Sequence, residues 1–274
     1  MLSRVLTVLT HPTNLKVMMY LAATLLTGLV VLYDMSRQAD RQLLKLGKVS
    51  NLAHRKLFHV LAFLLYAPMH ALCMTDRKVF ELLLLSQNWV TVFFIYIELV
   101  RFSSQGTSVG DMVNAGFTRF TDEREFSKTR LLLTHLYLLI GLGLPTNLTY
   151  IILDGGFPDG EMAVFAFSGV IFLGIGDTMA ALFGRYFGTS PWRSNAHKKT
   201  QEGTIYSTLI MCVVYYIFCA KVYAHMCAMF AIVAFATVFV AIAEGLTTQF
   251  DNLVCPAVYF VALHQIYDYF IYII

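Results

Sequence analysis

The chain has 274 residues, of which 58% are hydrophobic and only 14% charged, with a formal net charge of +3 and a mean hydropathy of +0.65. Soluble domains run at about 45–50% apolar and about 25% charged, so water is not the solvent this composition is built for. The small net charge, with no basic tract interleaved with aromatics, excludes a nucleic-acid partner.

The apolar residues fall in long runs broken by short polar segments, as in membrane helices. The first residues lack a signal-peptide pattern: His11, Pro12 and Asn14 interrupt the opening apolar run and no small-residue cleavage site follows, so the first span is expected to stay in place. In chain order the predicted spans are 17–34, 57–74, 79–100, 131–153, 162–184, 204–220, 226–243 and 253–273. Each approaches the roughly 20 residues that cross the hydrocarbon. The expected fold is all-α, a polytopic transmembrane bundle of about eight spans. The fourth span carries Pro145 and Asn147 and is expected to end early or bend. Asn147-Leu-Thr matches a glycosylation sequon, but lies in or beside an apolar segment and reads as an unused match.

Most of the 20 Lys and Arg lie in three loops. Arg37, Arg41, Lys45, Lys48, Arg55 and Lys56 fall in 35–56; Arg101, Arg119, Arg124, Lys128 and Arg130 in 101–130; Arg185, Arg193, Lys198 and Lys199 in 185–203. That bias places these loops in the cytosol, with the unbasic 154–161 loop and both termini on the opposite side. The five cysteines form no CxxC pair and read as small apolar side chains.

Ionisable residues near or inside spans are costly and point to function. Arg55, Lys56 and His59 open the second span; Glu98 and Arg101 close the third; Lys198, Lys199 and Glu202 lead into the sixth; Glu244 closes the seventh; Asp251 and Asn252 open the eighth. All map to the same face. Asp177, in the last third of the fifth span, is too deep for an ordinary interface charge. Around it Gly174, Ala180, Ala181, Gly184 and Gly188 form a small-residue stripe. Such a stripe serves helix packing, or lets phosphates approach the backbone while Asp177 holds a divalent cation. The segment SPWRSNAHKKTQEGT (190–204) brings lysines to neutralise phosphate oxygens, hydroxyls on Thr200 and Thr204, and the N-terminus of the next helix. No Gly-x4-Gly-Lys-Ser/Thr occurs, which excludes a Walker loop. Four carboxylates (Asp177, Glu202, Glu244, Asp251) with two lysines form an inventory suited to phosphoryl transfer, with oxygen ligands for magnesium or calcium. No Cys/His grouping suits zinc.

Six stretches, RKLFH (55–59), IELVRF (97–102), FTDERE with LLLTHLYLLIG (120–141), GDTMAALFGRYFG (176–188), KKTQEGT (198–204) and EGLTTQFDNLVCP (244–256), resemble the polyprenol kinase family. Within it they resemble the catalytic C-terminal half of dolichol kinases more than phytol or farnesol kinases. The resemblance implies CTP as phosphoryl donor, a divalent metal, a location in the endoplasmic reticulum membrane, and a product, dolichyl phosphate, that serves protein glycosylation. It divides the chain into an N-terminal span with a basic loop (1–54) and a kinase domain (55–274). It makes 188–204 the CTP loop, with Gly184, Gly188, Lys198, Lys199, Thr200, Glu202, Gly203, Thr204, Arg55, Lys56, His59 and Asn252 as binding candidates. Asp177 then holds the metal with Asp251 or Glu244, and Glu202 is the first candidate to orient the lipid hydroxyl. Many dolichol kinases are much longer, with additional N-terminal spans. A lipid-phosphate cytidylyltransferase shares the nucleotide and metal but releases pyrophosphate. A transporter or lipid-binding scaffold calls for midplane charges in inverted repeats, which are not seen.

Overall fold

The structure is a computed structural model that describes residues 2–46, 49–73, 75–118, 131–158, 160–192, 199–220, 226–247 and 251–273. Among them the chain is all helical apart from one isolated antiparallel bridge. In order the helices are α1 (Leu2–Thr10), α2 (Pro12–Leu46), α3 (Val49–Cys73), α4 (Arg77–Ser103), α5 (Ser108–Thr118), α6 (Thr134–Ile152), α7 (Gly160–Ile171), a π turn (Phe172–Gly176), α8 (Asp177–Phe187), α9 (Gln201–Ala220), α10 (Met226–Leu246) and α11 (Asp251–Ile273). Every predicted span lies on a helix. Five stretches are long and apolar enough to cross a membrane: Lys56–Cys73, Arg77–Ser103, Thr134–Ile152, Gly160–Phe187 and Met229–Leu246. The stretches at 17–34, 204–220 and 253–273 are helical but fall outside that measure. The protein is an all-α membrane protein, with five such spans among the described residues. Two short helices were not foreseen: α1, and α5 inside the 101–130 loop.

The α7–α8 rod is the axis of the bundle. Of its most apolar stretch 83% is buried, against 17% for α4 at the periphery. Phe165, Phe167, Val170, Ile171, Phe172 and Leu173 are buried there among Tyr215, Tyr259 and Phe80. Glycines permit the close neighbours: a Cβ on Gly169 would lie 2.6 Å from the Gly141 carbonyl, and one on Gly174 would lie 2.6 Å from the Phe63 Cβ.

Contrary to the expected early end, α6 runs unbroken through Pro145. Proline removes one backbone bond, and local side chains secure this part of the helix. The Asn147 amide donates to Gly143 O (2.8 Å), and the Thr149 hydroxyl donates to Pro145 O (2.8 Å). Asn147 also accepts from the Asn88 amide at 3.0 Å. Its side chain is thus committed to helix contacts, in keeping with an unused sequon.

Helices α6 and α11 cross at Gly141, where a Cβ would run into the Asn252 carbonyl and come within 3.0 Å of Leu173 Cδ1. Backbone cannot yield as a side chain does. Gly141→Ala is therefore expected to cost about 1–3 kcal/mol, the range for overpacking. Thermal unfolding in detergent checks this, and an unchanged unfolding temperature would refute the crossing.

Candidate active site

The site begins at the π turn. Its hydrogen bonds shift by one residue, so that the Asp177 N–H donates to Phe172 O. π turns inside α-helices recur at functional sites because they reset which face a following side chain presents. Here the turn packs on α3, with Gly174 beside the His59 carbonyl and Phe63. Asp177 emerges buried against the start of α3. Lys56 Nζ donates to Asp177 Oδ2 at 2.5 Å, and His59 Nε2 lies 3.0 Å from the same oxygen. Lys56 and His59 are one helical turn apart, so one face of α3 supplies both.

A second cluster joins the loop before α9 to the α10–α11 connection. Lys199 Nζ lies 2.6 Å from Asp251 Oδ2, donates to the Glu244 carbonyl oxygen at 2.7 Å, and sits 3.8 Å from Glu244 Oε1. Burial alone would lower the Lys199 pKa; the Glu244 and Asp251 carboxylates outweigh it and raise it, so the ammonium is charged at neutral pH. The two clusters are electrostatic neighbours, since Glu244 feels the charges of Asp177 and Lys56 as well as that of Lys199.

The predicted site thus comes together in part. Asp177, Lys56, His59, Lys199, Glu244 and Asp251 converge. Lys198 and the Arg55 side chain lie outside the described residues, as does the FTDERE stretch. Glu202 does not join the cluster: it is turned to the outer side of the loop, accepting from the Thr189 hydroxyl (2.6 Å) and the Ser190 N–H (3.0 Å). The Thr189 hydroxyl, then backbone N–H groups, hold its carboxyl down at about 2, so it is ionised throughout the neutral range.

The hydroxyls expected to meet phosphate also have structural partners. Thr200 Oγ1 accepts from the Gly203 N–H (3.2 Å), capping α9, and Thr204 Oγ1 accepts from the Trp192 indole N–H (3.1 Å). The glycine stripe is taken up by helix packing. A Cβ on Gly184 would lie 2.9 Å from Thr200 Oγ1, one on Gly203 would lie 2.6 Å from the Ala180 carbonyl, and one on Gly188 would meet Thr200 and the Gly184 carbonyl. These glycines let α9 lie against α8 rather than opening a backbone surface to a ligand. Asn252 contributes its backbone carbonyl to the α6 crossing.

The carboxylates do not form the expected metal set. Among the described residues no group of three or more His, Cys, Asp and Glu side chains is placed to hold a metal ion. Asp177 is bonded to Lys56, and Asp251 and Glu244 share Lys199, so a divalent cation does not fit Asp177, Glu244 and Asp251 as arranged.

Two features escaped the sequence reading. The π turn had a signal in Gly174-Ile-Gly176. The seating of Trp192 had a weaker one, a lone tryptophan in a polar loop.

No protein-family model matches the chain, and no solved structure matches it. Curated relatives do. Human dolichol kinase is 32% identical over 235 residues, covering 84% of this chain and 41% of the relative. Dolichol kinase EVAN of Arabidopsis thaliana is 31% identical over 217 residues (78% and 35%), and dolichol kinase sec59 of Schizosaccharomyces pombe is 32% identical over 216 residues (78% and 39%). The chain spans about two fifths of the length of these relatives. The aligned part exceeds three quarters of this chain in each of these three comparisons. Over that shared stretch the chain is homologous to the dolichol kinases.

Proposed function

We propose that this chain carries a CTP-dependent polyprenol kinase site, phosphorylating dolichol at the cytosolic face of the endoplasmic reticulum membrane. The observation that carries this reading is the pair of adjacent lysine–carboxylate clusters, Lys56–Asp177–His59 and Lys199–Asp251–Glu244. Homology to the dolichol kinases supplies the substrate class, and the basic loops supply the sidedness.

Phosphoryl transfer asks mainly for positioning and for charge placed where phosphate charge develops. Lys199 and Lys56 are the cations for the triphosphate. Asp177, facing both Lys56 and His59, receives the hydrogen bond of the lipid hydroxyl and orients its oxygen toward the γ-phosphorus. The new bond joins lipid oxygen to phosphorus, the bond from the γ-phosphorus to the β-phosphate oxygen breaks, and CDP leaves. The hydroxyl proton passes to the Asp177–His59 pair. Apolar walls around the α3–α8 contact keep water, the competing acceptor, away from the phosphoryl group.

The test uses the full chain purified in detergent, with γ-labelled CTP or ATP and with dolichol or phytol, each in separate combinations and with magnesium or calcium present. Label moving from CTP to dolichol is the expected result. Label on phytol alone would move the substrate, release of labelled pyrophosphate from CTP when dolichyl phosphate replaces the alcohol would make the enzyme a cytidylyltransferase, and no transfer by folded protein would refute the proposal.

A further inference from the structure

Between α8 and α9, the described residues on either side of 193–198 meet in one antiparallel bridge. Trp192 N–H donates to Lys199 O (3.0 Å), Gln201 N–H donates to Ser190 O (2.9 Å), and Pro191 bridges Thr200. Trp192 and Lys199 are therefore cross-strand partners, and their side chains grip consecutive residues at the end of α10. Lys199 Nζ holds the Glu244 carbonyl, while the Trp192 indole lies on Gly245. A Cβ at Gly245 would be 2.6 Å from Trp192 Nε1, 2.9 Å from Cε2 and 3.1 Å from Cδ1, so only glycine admits the ring in this seat. The indole N–H then reaches Thr204 on α9. The indole bridges the ends of α9 and α10 at the height of the lysine.

We propose that Trp192, seated on Gly245 and tethered to Thr204, is the positioning residue that aims Lys199 between Glu244 and Asp251. A lysine has a flexible four-carbon stem, and its ammonium by itself has no fixed direction. The register of the bridge fixes where the Lys199 backbone sits, and the rigid indole fixes where the bridge sits on α10. The assignment concerns the same site as the proposed kinase reading, and its role toward a triphosphate rests on that reading. The aiming of Lys199 does not.

The test uses the full chain in detergent with Gly245→Ala, which fills the indole's seat next to Glu244, and with Thr204→Val, which removes the indole's hydroxyl partner away from Lys199 and its carboxylates. The first readout is labelling of lysine ammonium groups by an amine-reactive reagent, followed by mass spectrometry. Lys199 labelling is expected to rise several-fold in Gly245→Ala and less in Thr204→Val, while Lys78, paired with Glu81 on α4, stays at the wild-type level. Wild-type labelling of Lys199 in both variants would overturn the proposal, and so would a rise shared by Lys78, which is the sign of general unfolding.

The second readout is kinetic. Because a misplacement of about 1 Å can cost on the order of 10²-fold in rate, Gly245→Ala is expected to raise KM for CTP by about tenfold or more, with KM for dolichol unchanged. A uniform fall in kcat with both KM values unchanged would overturn the positioning role. If labelling responds as expected but the wild type transfers no phosphate, the tryptophan anchor stands and the kinase reading falls.

Discussion

Asp177→Asn is expected to lower phosphoryl transfer from CTP to dolichol by on the order of 10²-fold or more, the range for removing a preorganised electrostatic group. The substitution preserves volume but removes the charge that Lys56 and His59 both face. It also leaves the buried Lys56 ammonium opposite a neutral amide. Breaking a buried pair by removing one partner costs about 3–5 kcal/mol, so lost activity could reflect lost fold. A double variant, Lys56→Met with Asp177→Asn, separates the two. Removing both charges is expected to restore the unfolding temperature toward wild type while activity stays low. Initial rates with γ-labelled CTP, read beside thermal unfolding of the same samples, decide the matter; recovery of transfer in the double variant would show that Asp177 is structural. Glu202→Gln belongs in the same assay. Glu202 is partly exposed and bonded to the loop rather than the cluster, so its loss is expected to change the rate by about twofold at most, as for a surface substitution.

Arg101→Leu is expected to cost as much stability, about 3–5 kcal/mol. Arg101 and Glu98 are one turn apart at the end of α4, 5% and 3% exposed, and joined by two bonds: Nε to Oε2 at 2.8 Å and Nη2 to Oε1 at 2.6 Å. Glu98 also accepts the Leu132 N–H (2.7 Å) just before α6, and Arg101 Nη1 donates to Asn114 on α5 (3.2 Å). The pair thus fastens both sides of the 101–133 segment to α4. Without the guanidinium, the Leu132 N–H is the donor left to this buried carboxylate among the described residues. Glu98→Leu combined with Arg101→Leu leaves no uncompensated charge and is expected to regain most of the loss. Unfolding midpoints of the single and double variants check this, and equal midpoints would show that the charge of Glu98 is not what the single variant strands.

The Glu98–Arg101 pair also shows what spacing can reveal. Residues three apart on a helix are neighbours, so their meeting was legible from IELVRF alone. So was the joint appearance of Lys56 and His59 on one face of α3, and the depth of Asp177 in an apolar run. The same local logic misjudged Glu202, which shares a short stretch with Lys199. Around the bridge Lys199 reaches α10 while Glu202, in the first turn of α9, reaches back to Thr189 and Ser190. Order along the chain does not say which way each side chain turns.

The sequence by itself determined the solvent and the long apolar helices. An apolar run near 20 residues long satisfies its own backbone only as a helix, and this rule needs no knowledge of neighbours. It determined as well which residue types were available for phosphate chemistry. Only the tertiary structure decided their partners. Lys56 meets Asp177 across 121 residues, and Lys199 meets Asp251 across 52. Such pairings depend on which helices lie side by side, and glycines at the crossings set how closely they approach. Periodicity records which face of a helix is apolar, and it holds no information about which neighbour that face will find. For the same reason the glycines of α8 became a seat for α9, and Gly245 a seat for an indole: a missing side chain allows a close approach, and the fold chooses what approaches.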